Sequence, residues 1–402
     1  MNPYLDDSHE RFRAEIREFA EGEIAPIARM HDEEGRFPWE SVRKMAGLGF
    51  FGVDVPTEYG GQGRDYLSYL LVIEELARVD ASHAITVSAH STLGTSPILN
   101  FGTEAQKRRY VPLLARGQVL AGFGLTEPGA GSDASGTRTI AVRENGGYRI
   151  NGSKIFITHA GVGEVFVVTA VTDREKGARG ITSFIVTKET TDREAADRVG
   201  VGHAPELEPF TPGVRAGKKE DKMGWRASDT RELILEDALV PAENRLGAEG
   251  EGFINFMKTL DAGRIGIAAL ALGLAQGALD QTLRFTAERE QFGKPIRDFQ
   301  GVQFALADMA TEIACARHLV YHAAWLKQRG RPFGQAAAMA KLYASELAMR
   351  ATTRAVQLHG GYGYTSEYPV ERMMRDAKIL EIGEGTSEVQ RLVIARHLLG
   401  CA

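Results

Sequence analysis

Tyr148-Arg149-Ile150-Asn151, Val165-Phe166-Val167-Val168, Ile181-Thr182-Ser183-Phe184-Ile185-Val186 and Leu233-Ile234-Leu235 are short runs rich in β-branched and aromatic residues. Such side chains suit a pleated, half-buried surface, and the turn signal Glu144-Asn145-Gly146-Gly147 directly precedes the first run. On either side the apolar period changes to three or four. Upstream, Phe12, Ile16, Phe19 and Ile24, then Leu67, Leu70, Leu71, Ile73 and Leu76, mark helices broken by Tyr59-Gly60-Gly61-Gln62-Gly63. Downstream of about 252 the chain returns to long helices rich in Ala, Gly and Leu, most densely over Ala268 to Leu279. Small residues there let helix axes approach closely, as a bundle core or an oligomer interface needs.

The expected architecture is mainly α with a central β domain. Residues 1–121 form an N-terminal helical domain, 122–242 a small antiparallel, barrel-like β domain, and 243–402 a C-terminal four-helix bundle. The stretch 188–215, with Pro205, Pro209 and Pro212 and no clear period, is expected to be an extended loop leaving the β domain.

A length of 402 residues leaves room for two to three domains at about 150 each. Hydrophobic residues at 43% and charged residues at 25% are ordinary for a soluble globular chain, so neither disorder nor a fibre is suggested. A net charge of -5 denies a general nucleic-acid binder the basic footprint it needs. Two cysteines, Cys315 and Cys401, cannot build a disulfide framework and lack zinc-ligand spacing, which fits a reducing compartment. The opening residues carry neither a secretion-signal nor a transit-peptide pattern, so the expectation is a cytoplasmic protein. The longest uncharged helical run, Ile265 to Leu279 between Arg264 and Asp280, is shorter than the roughly 20 residues of a membrane span and reads as a core helix.

Four motifs carry candidate chemistry. Gly129-Ala130-Gly131-Ser132-Asp133-Ala134 matches a dinucleotide fingerprint in spelling, but Pro128 precedes it and strand-like sequence follows where a helix should open. It reads either as a tight turn or as backbone that lines a phosphate or flavin, together with Thr126 and Ser132. Arg289-Glu290-Gln291-Phe292-Gly293 closes the Ala-rich helix, with Gly293 expected to end it and Arg289 either solvated or paired with a phosphate. Gln357-Leu358-His359-Gly360-Gly361-Tyr362-Gly363-Tyr364 suits a helix-ending turn or stacking on a flat cofactor. Glu384 lies between Gly383 and Gly385, with Ser387 and Gln390 at capping-box spacing for a new helix. In isolation it is a solvated loop carboxylate; buried against an apolar ligand it becomes a base of raised pKa.

Together, Phe123 to Asp133, Lys218 to Gly224, Thr259 to Ala268 and Glu384 to Arg391 resemble the acyl-CoA dehydrogenase family, and in particular its short-chain (butyryl-CoA) branch, across nearly the whole chain. The resemblance implies an FAD enzyme that removes two hydrogens from Cα and Cβ of an acyl-CoA thioester. Glu384 stands at the family's base position. Gly263 occupies the alternative base position on the long helix, and Ala84 the place of the arginine used by decarboxylating members. The resemblance sets Phe123, Leu125, Thr126, Gly131 and Ser132 on one side of the flavin and Phe156, Ile157 and Thr158 on the other, with Phe156 replacing the usual Trp.

By the same resemblance, Arg289, Phe292, Gln300, Gln357, Leu358, Gly360 and Gly361 reach the cofactor from a neighbouring subunit, while Thr386, Ser387 and Glu388 belong to the subunit holding the ring. Ser132, Asp261, Arg264 and Gly385 fall on substrate positions, and Gly383 replaces the Tyr usual before the base. The implied partners are an electron-transferring flavoprotein and further copies of the chain in a homotetramer, a dimer of dimers. The region 188–215 is expected beside the CoA-binding side of the β domain. An oxidase or monooxygenase of the same fold, and a flavin-free helical interaction protein, are the competing readings.

Overall fold

The computed structural model describes residues 3–201 and 204–400; Cys401 lies outside the described residues. Seven helices form the first layer: α1 (Asp7–Phe19), α2 (Ala25–Glu34), α3 (Trp39–Gly47), α4 (Tyr66–Ala77), α5 (Ala81–Ser88), α6 (Ser96–Phe101) and α7 (Glu104–Ala115). Every residue of α4 is buried, because α1, α5 and the C-terminal helices all pack on it.

The β runs become β1 (Ala121–Gly124), β2 (Ile140–Glu144), β3 (Gly147–Thr158), β4 (Val165–Val171) and β5 (Ile181–Thr187), followed by a helix α8 (Arg193–Val199), then β6 (Val214–Lys219), β7 (Thr230–Pro241) and β8 (Arg245–Leu246). They make one sheet in the order β6-β7-β3-β2-β4-β5-β8, with β1 joined to β4. The sheet is antiparallel except that β1 and β2 each run parallel to β4, which corrects the wholly antiparallel expectation. A Cβ on Gly122 would meet the Thr158 carbonyl at 2.7 Å, so the absence of a side chain lets β1 approach the end of β3.

The C-terminal part contains α9 (Gly252–Glu288), the hairpin β9 (Glu290–Gln291) and β10 (Lys294–Pro295), α10 (Gln300–Gln328), α11 (Gly334–His359), α12 (Val370–Lys378) and α13 (Ser387–Leu398). By length and composition α9 could cross a membrane, but 94% of its most apolar window is buried inside the protein. It is the central core helix, touching α4, α5, α10, α11 and β5. Its small residues do the work expected of them: a Cβ on Gly273 would lie 2.9 Å from the Glu74 carbonyl carbon, and one on Gly277 the same distance from that of Arg78.

Two local expectations change. The stretch 188–215 is not a plain loop. Ala196 and Val199, at helical spacing on α8, and Val201 just beyond it join the main hydrophobic core, α8 contacts α3, and the buried Trp39 indole donates to Asp192 at 2.7 Å. Residues 192–201 are therefore fastened to α3, while Ala204, Leu207 and Phe210 pack in the cluster that holds Phe123, Leu125, Phe256 and Met257. Gly293 does not end α9, which stops at Glu288. Phe292 and Gly293 have φ of 54° and 78° and form the tight turn of the β9–β10 hairpin, where two consecutive left-handed residues match strand twist.

Candidate active site

Glu384 emerges from the turn between α12 and α13 with φ 52°, followed by Gly385 at 90°. A left-handed backbone is costly for a residue with a side chain, and it persists only where the surroundings enforce it. The reason α13 starts where it does differs from the expected box. Thr386, not Ser387, is the N-cap, its hydroxyl accepting from the Val389 N–H. Gln390, freed from capping, instead donates its side-chain amide to the Gly385 carbonyl at 2.8 Å and the Glu384 carbonyl at 3.3 Å.

The carboxylate enters a cleft against α9, facing Gly263, with Leu93 alongside. Its Oε2 is buried and has no hydrogen-bond partner within the chain. Burial pushes the Glu384 pKa up to about 7, opposed by the positive charges of Lys341 and then Arg264. A carboxylate with a bare oxygen and a pKa near neutrality is suited to accept a proton from a bound ligand. Arg264 donates to Asp261 at 2.5 Å one helical turn away, and its Nε is buried without a partner.

A second feature is a shelf built by neighbouring strand segments. The Ile155 N–H donates to the Thr126 carbonyl at 2.9 Å, which sets Phe123, Leu125 and Thr126 beside the end of β3. The pairing of β3 with β7 is irregular between Lys154 and Ile157, and Phe156 sits in this bulge with φ 57°. A bulge re-aims a side chain, and Phe156 is left 62% exposed. Thr158 is half-buried, while Ile157 turns into the β core and leaves only its backbone for a ligand. Gly129 and Gly131 have open space around them, with the exposed Ser132 next to Gly131. Phe123 stacks on Phe256 at 3.9 Å between centroids, so the shelf meets α9 about 10 Å of helix rise before Gly263.

Behind the shelf lies an ion pair that the sequence reading missed, although Glu127 stood inside a quoted motif. Lys154 Nζ donates to Glu127 at 2.7 Å, to Thr137 and Thr169, and to the Leu125 carbonyl. Glu127 also accepts from Thr137, from the Arg138 N–H and from Thr139. Against desolvation, these partners hold the Glu127 carboxyl down near 2, whereas burial lowers the Lys154 pKa to about 8. Lys341 was missed as well; its only signal was one lysine in an Ala-rich helical face.

The remaining predicted residues gather elsewhere. Arg289, Phe292, Gln300, Gln357, Gly360 and Gly361 are exposed and Leu358 is half-buried. They surround the place where α9 and α11 end and α10 begins: Arg289 lies over the Tyr362 ring at 5.4 Å, and Phe285 stacks on His359 at 4.3 Å. Thr386 and Ser387 follow Glu384 at the start of α13, Ser387 with a buried, unpartnered Oγ, and Glu388 is exposed. Among the described residues no cluster could hold a metal ion.

The shelf fits a flat, amphipathic ring: an uncovered aromatic face at Phe156, hydroxyls at Thr126 and Thr158, and clearance at Gly129 and Gly131. The chain matches the family models for the acyl-CoA dehydrogenase N-terminal domain over residues 6–118, middle domain over 122–238 and C-terminal domain over 250–399. It is 50% identical over 395 residues to the short-chain specific acyl-CoA dehydrogenase of Clostridium acetobutylicum, covering 98% of this chain and 99% of that one. The butyryl-CoA dehydrogenase structure from Megasphaera elsdenii superposes with a TM-score of 0.92 at 48% identity, covering 99% and 100% of the two chains. A chain from a study of the electron transferring flavoprotein of Acidaminococcus fermentans gives 0.93 at 49% identity, with the same coverage. Acyl-CoA dehydrogenases are FAD-dependent oxidoreductases. With all three domain models matched in order and relatives this similar over the full length, the chain belongs to the acyl-CoA dehydrogenase family.

Proposed function

We propose that this enzyme dehydrogenates a short-chain acyl-CoA thioester to the trans-2-enoyl-CoA, with Glu384 abstracting the α-proton. The observation that carries this reading is the bare, buried Oε2 of Glu384 facing Gly263 in the α9 cleft. Bound FAD would supply the hydride acceptor for Cβ, held by the Phe123–Thr126 and Phe156–Thr158 segments and by the Gly131–Ser132 turn. The chain's own contribution is to orient the carboxylate, exclude water around it and hold its pKa close to working pH, so that proton transfer is neither starved of base nor of driving force. The Glu384 N–H is assigned to the thioester oxygen, which gains negative charge as the α-proton leaves. Asp261, Arg264, Ser132 and Gly385 are assigned to the acyl-CoA.

The geometry of α9 supports assembly through a second copy. Arg289 caps the C-terminus of α9, about 39 Å along the helix from Gly263 at 1.5 Å per residue. Arg289, Phe292, Gln300 and the 357–361 turn are therefore assigned to the cofactor bound mainly by a neighbouring subunit, in a homotetramer arranged as a dimer of dimers. Electrons are proposed to leave to an electron-transferring flavoprotein, and the cytoplasmic setting is supported by the bacterial source of the relatives named above.

The test is an anaerobic absorption titration of the purified protein with saturated acyl-CoAs of increasing chain length. Bleaching of the flavin band by short straight-chain thioesters is the expected result. A yellow protein bleached only by branched or long thioesters would overturn the substrate assignment, and a colourless protein that FAD cannot reconstitute would overturn the whole reading.

A further inference from the structure

We propose that Lys341 on α11, acting with Gln390 on α13, is the positioning residue for Glu384: it grips the backbone of the left-handed turn that aims the carboxylate at Gly263 and sets a positive charge beside it. This inference rests on the reading of Glu384 as the base, and it assigns a group that the chemistry so far described leaves unused.

Lys341 is wholly buried, and so are Ala337, Ala338, Ala340 and Ala344 around it on α11. An ammonium in such surroundings is expensive unless it is paired and hydrogen-bonded. Its Nζ donates to the Gly385 carbonyl at 2.7 Å, the same oxygen that accepts from Gln390. Two side chains on different helices thus converge on one carbonyl, in the turn where Glu384 and Gly385 both have positive φ. Without them that oxygen would be left unsatisfied and Glu384 would relax toward an ordinary conformation, carrying its carboxylate away from the cleft.

The electrostatics point the same way. Burial raises the Glu384 pKa, and Lys341 is the largest opposing charge, ahead of Arg264 on α9. Burial lowers the Lys341 pKa to about 8, with Glu384 the main group resisting, Arg264 adding to the fall, and Glu381 and Glu388 acting more weakly against it. From α4, Tyr66 and Tyr69 face Glu384, and their own pKa values are raised mainly by burial. Lys341 and Arg264 are accordingly the cations that keep the base ionisable near neutral pH.

The experiment compares the native holoenzyme with Lys341→Met, Lys341→Gln, Lys341→Arg and Glu384→Gln by two readouts. The first is an infrared titration of the carboxylic C=O band that Glu384→Gln removes, which needs no turnover. Its midpoint is expected to rise by about one pH unit in Lys341→Met and Lys341→Gln, which lack the charge, and to return toward the native value in Lys341→Arg. The second is the rate of flavin reduction by saturating butyryl-CoA, taken above the infrared midpoint of each variant. A fall of about tenfold is expected in Lys341→Met, which also loses the donor, and a smaller one in Lys341→Gln, which keeps an N–H. The KM for acyl-CoA is expected to stay within about twofold, because a positioning group acts on the base and not on binding.

A native infrared midpoint in Lys341→Met overturns the proposal, and if that variant does not fold, a native midpoint in Lys341→Gln does the same. Full flavin reduction in Glu384→Gln would instead overturn the base assignment, while the infrared midpoints still decide the influence of Lys341 on Glu384.

Discussion

Gly263 and Glu384 meet across the cleft so closely that a Cβ added to the glycine would overlap the Oε2 of the carboxylate. One element thus leaves a vacancy and another fills it, from positions 121 residues apart in the sequence. The overlapping atom is the end of a flexible side chain, so Gly263→Ala is expected to displace Glu384 at little cost in stability. Displacement of a base by about 1 Å costs on the order of a hundredfold in rate. Stopped-flow flavin reduction should show that loss, with an unchanged melting temperature.

Removing the base while keeping its shape separates chemistry from binding. Glu384→Gln is expected to retain FAD and to bind acyl-CoA, while flavin reduction falls by several orders of magnitude, because no proton acceptor remains. A binding titration followed by single-turnover reduction checks both halves.

The raised pKa of Glu384 has opposite consequences for activity and stability. Proton abstraction needs the ionised form, so reduction should weaken as pH falls below about 7. Stability runs the other way. The folded state holds its proton more tightly than the unfolded chain, whose carboxyl has the ordinary value of 4.5. The stability of the protonated form is therefore complete below that value and is lost as pH rises through about 7. Glu384→Gln should accordingly melt higher than the native protein at pH 8, by about 1 to 3 kcal/mol of stability, and no higher at pH 4.5. Calorimetry at the two pH values tests the sign.

Behind the shelf, Glu127→Gln would leave the fully buried Lys154 without its counter-charge. Stranding one member of a buried pair costs about 3 to 5 kcal/mol. A marked drop in melting temperature and weaker FAD retention are expected, because the Thr126–Pro128 turn is tied to the sheet through this pair.

Arg289 is exposed at the far end of α9, distant from Glu384. Arg289→Ala is expected to weaken FAD retention and assembly more than the chemical step. Flavin content and light scattering measured against protein concentration would show it; a stable tetramer with full FAD would remove Arg289 from the cofactor site.

The segment holding α8 is fastened to α3 by Trp39 and Asp192. Trp39→Phe is expected to speed proteolysis within residues 193–201, at a local cost of about 1 kcal/mol. Its kinetics with acyl-CoA should match those of the native enzyme, since the lost contact is between Trp39 and Asp192 and involves none of the residues assigned to substrate. Limited proteolysis and a KM measurement settle the two halves.

Much of this molecule could be read from local pattern. Apolar spacing of three or four, alternating with short β-branched runs, marks the helix/β/helix order because secondary structure answers to neighbours within a few residues. Motifs several residues long identified the family and singled out Glu384. The sequence by itself could not show that the 188–215 stretch folds a helix, since Ala196 and Val199 are an apolar face only once α3 supplies something to bury them against. Nor could it show that Gly293 turns a hairpin, or that Thr386 takes the cap and frees Gln390. The site depended most on tertiary structure. Lys341 lies 43 residues before Glu384 and is one lysine among alanines until α11 packs beneath the turn. Burial and charge, which set a pKa, are properties of the space around a group, and that space is filled by residues far away along the chain.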